Sequence, residues 1–388
     1  MLIFLWGAAT PAQEIQHQAI AVNIEVPVRV YKSGAFVENL TINDFEVYED
    51  GALQEVEAVY LIKNKSIERE EFDKEKGAVL QPEVENRHFV FLFEIHSYLP
   101  EVDKAVDHFF QNVMTGGDTL MVFTPVKSYT IKDKAFEILS RTEIADQLKA
   151  KLRKDILKGS AEYKSLHNDI LDILKLEEMS TDLKCQIILT HLRKMKDLRY
   201  FDESALVALS DHFKEIEGQK HVFIFFQKEF LPIPELIGDP PPGFYVTQTL
   251  DVDKVKRAFS QSDIASHFLF ITKRPQHELD ITRMLSTGGQ APDPSAQASQ
   301  GGMAVHMKES SAELFQSFNE LASATGGLTE SSANAEKAFQ KAVKASQVYY
   351  LVYYKPKQYA ADNRFHKIEV RIKGGGYRVL HRAGYVAD

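Results

Sequence analysis

The stretch at 87–100, RHFVFLFEIHSYLP, constrains the fold more than any other. Its apolar run at 89–93, continued at Ile95, does not alternate. A strand without alternation is buried on both faces, as central strands of parallel sheets are when helices cover them. The run ends in Glu94, His96, Ser97 and Tyr98, and Pro100 stands where a helix can begin without needing that amide proton. In open α/β sheets, ligands bind beyond the carboxyl ends of the strands, where strand order reverses. One segment thus supplies a core strand and a first candidate site.

Upstream, residues 20–62 read as a small β unit. AVNIEVPVRVY puts Val22, Ile24, Val26, Val28 and Val30 on one face, the period-two pattern of a half-buried strand. Lys32, Ser33 and Gly34 mark a turn, 41–44 a small cap, and Glu49, Asp50 and Gly51 a hairpin turn, because Asp-Gly accepts positive φ. Residues 63–86 are charged, hold no apolar period, and read as an exposed linker.

Downstream, Val102, Ala105, Val106, Phe109, Phe110 and Val113 recur at helical spacing. Further strands are expected at 119–126, 128–132, 221–226, 267–272 and 348–354, with helices through most of 135–217. The prolines at 232–243 read as a rigid loop, 287–303 as a flexible low-complexity loop, and 365–372 with 377–382 as a hairpin across three glycines. Strands separated by helices pair in parallel through right-handed crossovers. The expected fold class is therefore α/β: a doubly wound, mostly parallel six-stranded sheet with helices on both faces at 87–355, with a helical insertion at about 135–200. A small β-sandwich-like unit accompanies it, in which 356–388 packs with 20–62, since domain termini commonly meet.

Composition narrows the function. A net charge of −9 over 388 residues argues against a nucleic-acid partner. The single cysteine, Cys185, excludes an intrachain disulfide and, in its apolar helical context, reads as an inert buried thiol. No apolar run reaches the ~18 residues of a transmembrane helix. The opening MLIFLWGAATPAQ, residues 1–13, has the apolar core and small residues of a signal-peptide remnant, so an exported, periplasmic or extracellular location is expected.

Three blocks of sequence resemble a family of exported bacterial proteins related to the von Willebrand factor type A domain. They are VNIEVPVRVYKSGAFVENLTINDFEVYEDGALQEV at 22–56, the strand at 89–94 with Gly117 and Asp118 before the next strand, and LASATGGLTE at 321–330 followed by YYLVYYKP and FHKIEVRIKGGGYRVLHRAGYV. The resemblance implies a von Willebrand A-like sheet whose first strand ends in Asp-x-Ser-x-Ser. There, with a later Thr and Asp, oxygen ligands hold a Mg²⁺ ion that a partner's carboxylate completes. In this chain the motif is degenerate. Glu94 stands at the Asp position, and His96 and Tyr98 at the Ser positions. Ser97 is out of register, and Thr124 falls where the Thr is expected. The loop that should bring the last Asp reads Gln227, Lys228, Glu229, and a lysine there repels a cation. No metal and no cofactor is expected in this protein.

Catalysis is not expected either. Glu94, His96 and Ser97 are adjacent, but successive side chains on an extended strand end point to opposite faces. Nucleophile-elbow, zincin and P-loop motifs are all missing from the sequence. The remaining expectation is a non-enzymatic, adhesion-like module that binds a protein partner through Glu94, His96, Ser97, Tyr98, Thr124, Gln227 and Lys228. The alternative is a scaffold subunit that acts through β edges and the helical insertion.

Overall fold

The computed structural model describes residues 23–72, 86–176, 178–199, 201–234, 250–273 and 305–387. The expected signal segment at 1–13 and the low-complexity loop at 287–303 lie outside the described residues.

Strand β6 (Arg87–Glu94) runs through the middle of a six-stranded sheet. With β7 (Thr119–Phe123), β8 (Ser128–Ile131), β9 (Gln219–Gln227), β11 (Ile264–Ile271) and β13 (Thr329–Ser332), the order is β13-β11-β9-β6-β7-β8. All neighbours pair in parallel except β7 and β8, which are antiparallel. Strand order therefore reverses between β6 and β9, the switch point of a doubly wound sheet.

The missing alternation in β6 has its cause in two separate cores. Phe89, Phe91 and Phe93 point to one face, where they meet Phe223 and Phe225 of β9. Helices α1 (Pro100–His108), α3 (Arg141–Gly159) and α9 (Ala335–Val343) cover that face. Val90 and Leu92 point to the other, with Phe226, Phe268 and Phe270, beneath α6 (Glu203–Phe213), α7 (Val252–Gln261) and α8 (Ala312–Ala324). Phe91 stands edge-on to Phe109, Phe223, Phe225 and Phe339, with centroids 4.8–5.7 Å apart, the T-shaped geometry that ring quadrupoles favour. Pro100 opens α1, and a Ser140–Glu143 capping box opens α3.

The helical insertion is a short helix α2 (Ala135–Ile138), then α3, α4 (Ala161–Lys175) and α5 (Thr181–Leu198). The last two form a hairpin with its own small core of Tyr163, Leu166, Ile170, Leu174, Ile188, Leu192 and Met195. Leu231 of β10 (Phe230–Pro234) joins that core. Pro232 and Pro234, expected in a loop, thus lie in a strand that, among the described residues, pairs only with β12 (Val305–Glu309). A two-stranded ribbon has free edges, where a proline's missing donor does no harm.

The remaining strands form one nine-stranded antiparallel sheet. Its members are β1 (Ile24–Lys32), β2 (Ala35–Phe36), β3 (Phe45–Glu49), β4 (Ala52–Lys63), β5 (Ser66–Phe72), β14 (Val348–Lys355), β15 (Phe365–Ile372), β16 (Arg378–Leu380) and β17 (Gly384–Val386). N- and C-terminal strands interleave: β14 lies between β1 and β4, and β15 pairs with β3. Three expectations change here. The run at 348–354 belongs to this sheet and not to the parallel one, whose sixth strand is the polar β13. Both faces of β14 are buried, Tyr350, Val352 and Tyr354 in one cluster and Tyr349, Leu351 and Tyr353 in another, so it carries the same unbroken apolar signal as β6. The charged segment taken for a linker contains β5, an edge strand of alternating exposure on which charges guard against pairing with other chains. The two arms of the expected C-terminal hairpin part company, β15 pairing with β3 and β17, and β16 with β1.

Buried cations join the two bodies. Arg87 is 2% exposed and makes a 2.6 Å contact to Asp118, which is fully buried. Lys65, from the β4–β5 turn, reaches Asp118 at 3.3 Å. Arg29 of β1 donates to the carbonyls of Ala345 and Gly326.

Candidate functional site

The carboxyl ends of β6 and β9 flank the switch point. Glu94 is the last residue of β6 and Gln227 the last of β9, and Lys228 and Glu229 follow. A cation-binding loop would present carboxylates here to an ion. Instead Arg199, just past α5, stands between two acids: its guanidinium is 3.9 Å from Glu94 Oε2 and 3.7 Å from Glu229 Oε1. It also donates to the Glu94 carbonyl at 3.2 Å and lies over the Phe226 ring. Burial pushes the Glu94 carboxyl above the usual range, and the Arg199 charge opposes it without cancelling it. A second ion pair, Lys228 Nζ to Glu309 at 2.6 Å, closes the other side of the loop.

The other expected residues spread outward from this point. His96 is 1% exposed, its ring 5.4 Å from Tyr163 of α4. Gln227 is fully buried, accepting the Ser97 amide at 3.0 Å and donating to the Lys273 carbonyl at 3.3 Å. Tyr98 donates its phenol to Asp103, under the Arg153 guanidinium. Burial and that carboxylate raise the phenol's pKa, so it stays a donor. The Thr124 hydroxyl lies 2.8 Å from the Lys127 carbonyl and 3.1 Å from Asp155, which share its one proton, and Asp155 also accepts Tyr129. His96 and Gln227 are thus structural members of the sheet end, while Glu94, Ser97, Tyr98, Thr124 and Lys228 form a half-buried rim.

The sequence reading placed Glu229 in the loop after β9 but not among the site residues, and missed Arg199 and Asp155 as parts of this arrangement. Arg199 lies 105 residues after Glu94, beyond a helical hairpin, and nothing in its own neighbourhood signals the contact. A cleft of about 30 Å³ remains beside Arg199 and Glu229, walled by Leu192, Met195 and Phe226. Cys185, expected to be buried, is half-exposed on α5; burial and Asp182 raise its thiol pKa, which keeps it protonated and unreactive.

A larger cavity of about 550 Å³ lies at the opposite end, between the nine-stranded sheet and the amino ends of β9 and β11. Its walls mix Glu25, Arg29, Lys214, Lys220, Asp263 and Arg382. Arg382 is spoken for: it pairs with Asp263 and donates to the Glu25 carbonyl.

The sequence matches no protein-family model and no curated protein. Among solved structures, the human COPII-coat protein Sec24c is similar over 78% of this chain at 8% identity and a TM-score of 0.33, and the chain spans 44% of that protein. An aerotolerance-related membrane protein of Bacteroides fragilis is similar over 67% of this chain and 97% of its own, at 9% identity and a TM-score of 0.26. What defines the chain is its own architecture: a mixed α/β protein in which a helix-covered sheet is joined to an antiparallel one. Among the described residues, no helix is long and apolar enough to cross a membrane.

Proposed function

We propose that this protein is a non-enzymatic, exported interaction module of the von Willebrand A type, and that it meets a protein partner at the top of its six-stranded sheet with no metal ion between them. The observation that carries this reading is the placement of Arg199. One guanidinium neutralises the two carboxylates, Glu94 and Glu229, that would otherwise attract a cation at the switch point. The doubly wound order supports the choice of face, because ligands of such sheets bind at the strand ends where order reverses. With His96 and Gln227 buried, contact falls to the rim of Ser97, Tyr98, Thr124 and Lys228. Tyrosine suits such a role, having a large apolar body and a polar tip.

A second reading makes the chain a structural subunit that acts through its helical insertion and β edges. It is favoured by exposed leucines on and beside the α4–α5 hairpin, Leu176 at 47%, Leu183 at 46% and Leu198 at 42%. A photoreactive side chain placed at Tyr98, Lys228 or Leu183 in the living cell separates the two. One common cross-linked partner at Tyr98 and Lys228, unchanged by EDTA, is the expected result. Products at Leu183 alone move the contact to the helical insertion. Products that vanish with EDTA, or none at any position, refute the metal-free contact.

A further inference from the structure

Far from the switch point, the turn that ends β3 faces β15. Glu49 Oε1 lies 4.0 Å from His366 Nδ1, and Asp50 Oδ2 lies 2.9 Å from the same nitrogen. One ligand atom from each of Glu49, Asp50 and His366 can be chosen so that all lie within 4.8 Å of one another. In a tetrahedral site with metal–ligand bonds of about 2.0–2.2 Å, neighbouring ligand atoms stand roughly 3.4 Å apart. The two spacings to His366, 2.9 and 4.0 Å, bracket that value, and the third lies within 4.8 Å, so a modest side-chain movement completes the geometry.

Each ligand is also held from behind. Glu49 is 6% exposed, and its other oxygen accepts the phenols of Tyr354 at 2.6 Å and Tyr385 at 3.2 Å. Asp50 sits at φ 48° and is clamped: its Oδ1 accepts the Lys367 amide, and its own amide donates to the Lys367 carbonyl, both at 2.9 Å. The far nitrogen of His366, Nε2, faces Asp362 Oδ1 at 3.3 Å, and the ring stacks on Tyr385. A carboxylate on the far nitrogen is the outer shell that fixes the tautomer of metal-bound histidines and raises their basicity. A turn that needed only a salt bridge would not require both imidazole nitrogens, a buried glutamate and two phenols to converge.

We infer that Glu49 Oε1, Asp50 Oδ2 and His366 Nδ1 form a binding site for a divalent transition-metal ion, Zn²⁺ being the best match, with Asp362 as the outer partner of the histidine and one coordination position left open. Two carboxylates and a neutral imidazole balance the charge of such an ion, and imidazole favours zinc over the alkaline earths. The proton that Nδ1 shares with Asp50 leaves when the metal enters, so one proton is released per ion. The ion ties the turn after β3 to β15 and so locks an N-terminal strand to a C-terminal one.

The test is calorimetric titration of the full chain with Zn²⁺, alongside Co²⁺ absorption as a probe of tetrahedral geometry. One ion per chain, a tetrahedral Co²⁺ spectrum and a raised unfolding temperature are expected. His366→Gln and Glu49→Gln should abolish the site. Asp362→Asn, which leaves all three ligands in place, should weaken binding about 10- to 100-fold. Glu94→Gln should leave it unchanged, so this result does not depend on the reading of the switch point. Absence of binding at millimolar Zn²⁺ in the parent chain overturns the proposal, as does binding unaffected by His366→Gln and Asp362→Asn in folded protein.

Discussion

His221 and His267 offer a measurable test of the junction between the two bodies. Their rings stack, with His221 Nδ1 3.1 Å from His267 Nε2, at 2% and 0% exposure. The Leu328 amide donates to His267 Nδ1 at 3.2 Å. That leaves the proton of His267 on Nε2, directed at His221, whose own proton sits on Nε2 toward Gln219 Oε1 at 3.4 Å. The network is complete only when both rings are neutral. Burial first holds both well below the ordinary imidazole pKa, followed by His267 and then Arg29 at His221, and by Arg29 at His267.

The unfolded chain therefore takes up protons at a higher pH than the folded one. The stability these rings contribute is fully present above about pH 6.5 and is lost as pH falls below it. While a ring stays neutral in the fold, dropping from about pH 7.5 to about pH 5 costs roughly 2 kcal/mol, at about 1.36 kcal/mol per unit beyond its unfolded pKa. Replacing His221→Phe keeps the ring stack on Phe89 but leaves the His267 donor unpaired, a cost of about 1–3 kcal/mol near neutral pH. The variant has one fewer ring to protonate, so its deficit should shrink as pH falls toward about 5, by at most about 2 kcal/mol. Urea unfolding of both proteins at several pH values measures this directly. A deficit that stays constant across that range refutes the neutral pair.

Two further substitutions probe the same junction by packing and by charge. Asp118→Ala leaves Arg87 buried without its partner and should cost about 3–5 kcal/mol in chemical denaturation; a cost under about 1 kcal/mol means the pair is not sealed from water. In Gly327→Ala the new methyl would fall 1.7 Å from the Ser266 carbonyl oxygen, so β11 must move; a loss of about 1–3 kcal/mol or more is expected, and an unchanged unfolding midpoint contradicts the close approach.

The sequence carried the α/β layering because burial on both faces leaves an unbroken apolar run, and β6, β9 and β11 each have one. The same signal misassigned β14, for burial on both faces does not say whether neighbours are parallel or antiparallel. β13 went unseen because Thr329, Glu330, Ser331 and Ser332 form a half-exposed edge whose hydrogen bonds come from its backbone. The tight approach at Gly327 was written in the sequence as a glycine pair, yet only the fold shows that Gly326 sits at φ 73° against His381 while Gly327 faces Ser266. Glu49, Asp50 and His366 could not be grouped from spacing, because 316 residues separate Asp50 from His366 and the pairing of β3 with β15 brings them together.

Those contacts across the chain's ends bear on how charge is distributed in the molecule. At the switch point the acids outnumber the bases, yet each base is placed between or against them: Arg199 with Glu94 and Glu229, Lys228 with Glu309, Lys273 with Glu101. An ion entering there would first have to displace a lysine or a guanidinium that is already hydrogen-bonded. At the β3 turn the acids outweigh the single base further. Glu49, Asp50 and Asp362 surround a single imidazole; the groups that support Glu49 and Asp50, namely Tyr354, Tyr385 and the Lys367 amide, are neutral donors, while Asp362 also lies 3.5 Å from the Arg364 guanidinium. Neutral donors orient a carboxylate without cancelling its charge, so Glu49 and Asp50 keep the charge that ion pairs offset at the strand ends. If a cation acts in this protein, electrostatics directs it to the antiparallel sheet and leaves the top of the parallel sheet to direct contact.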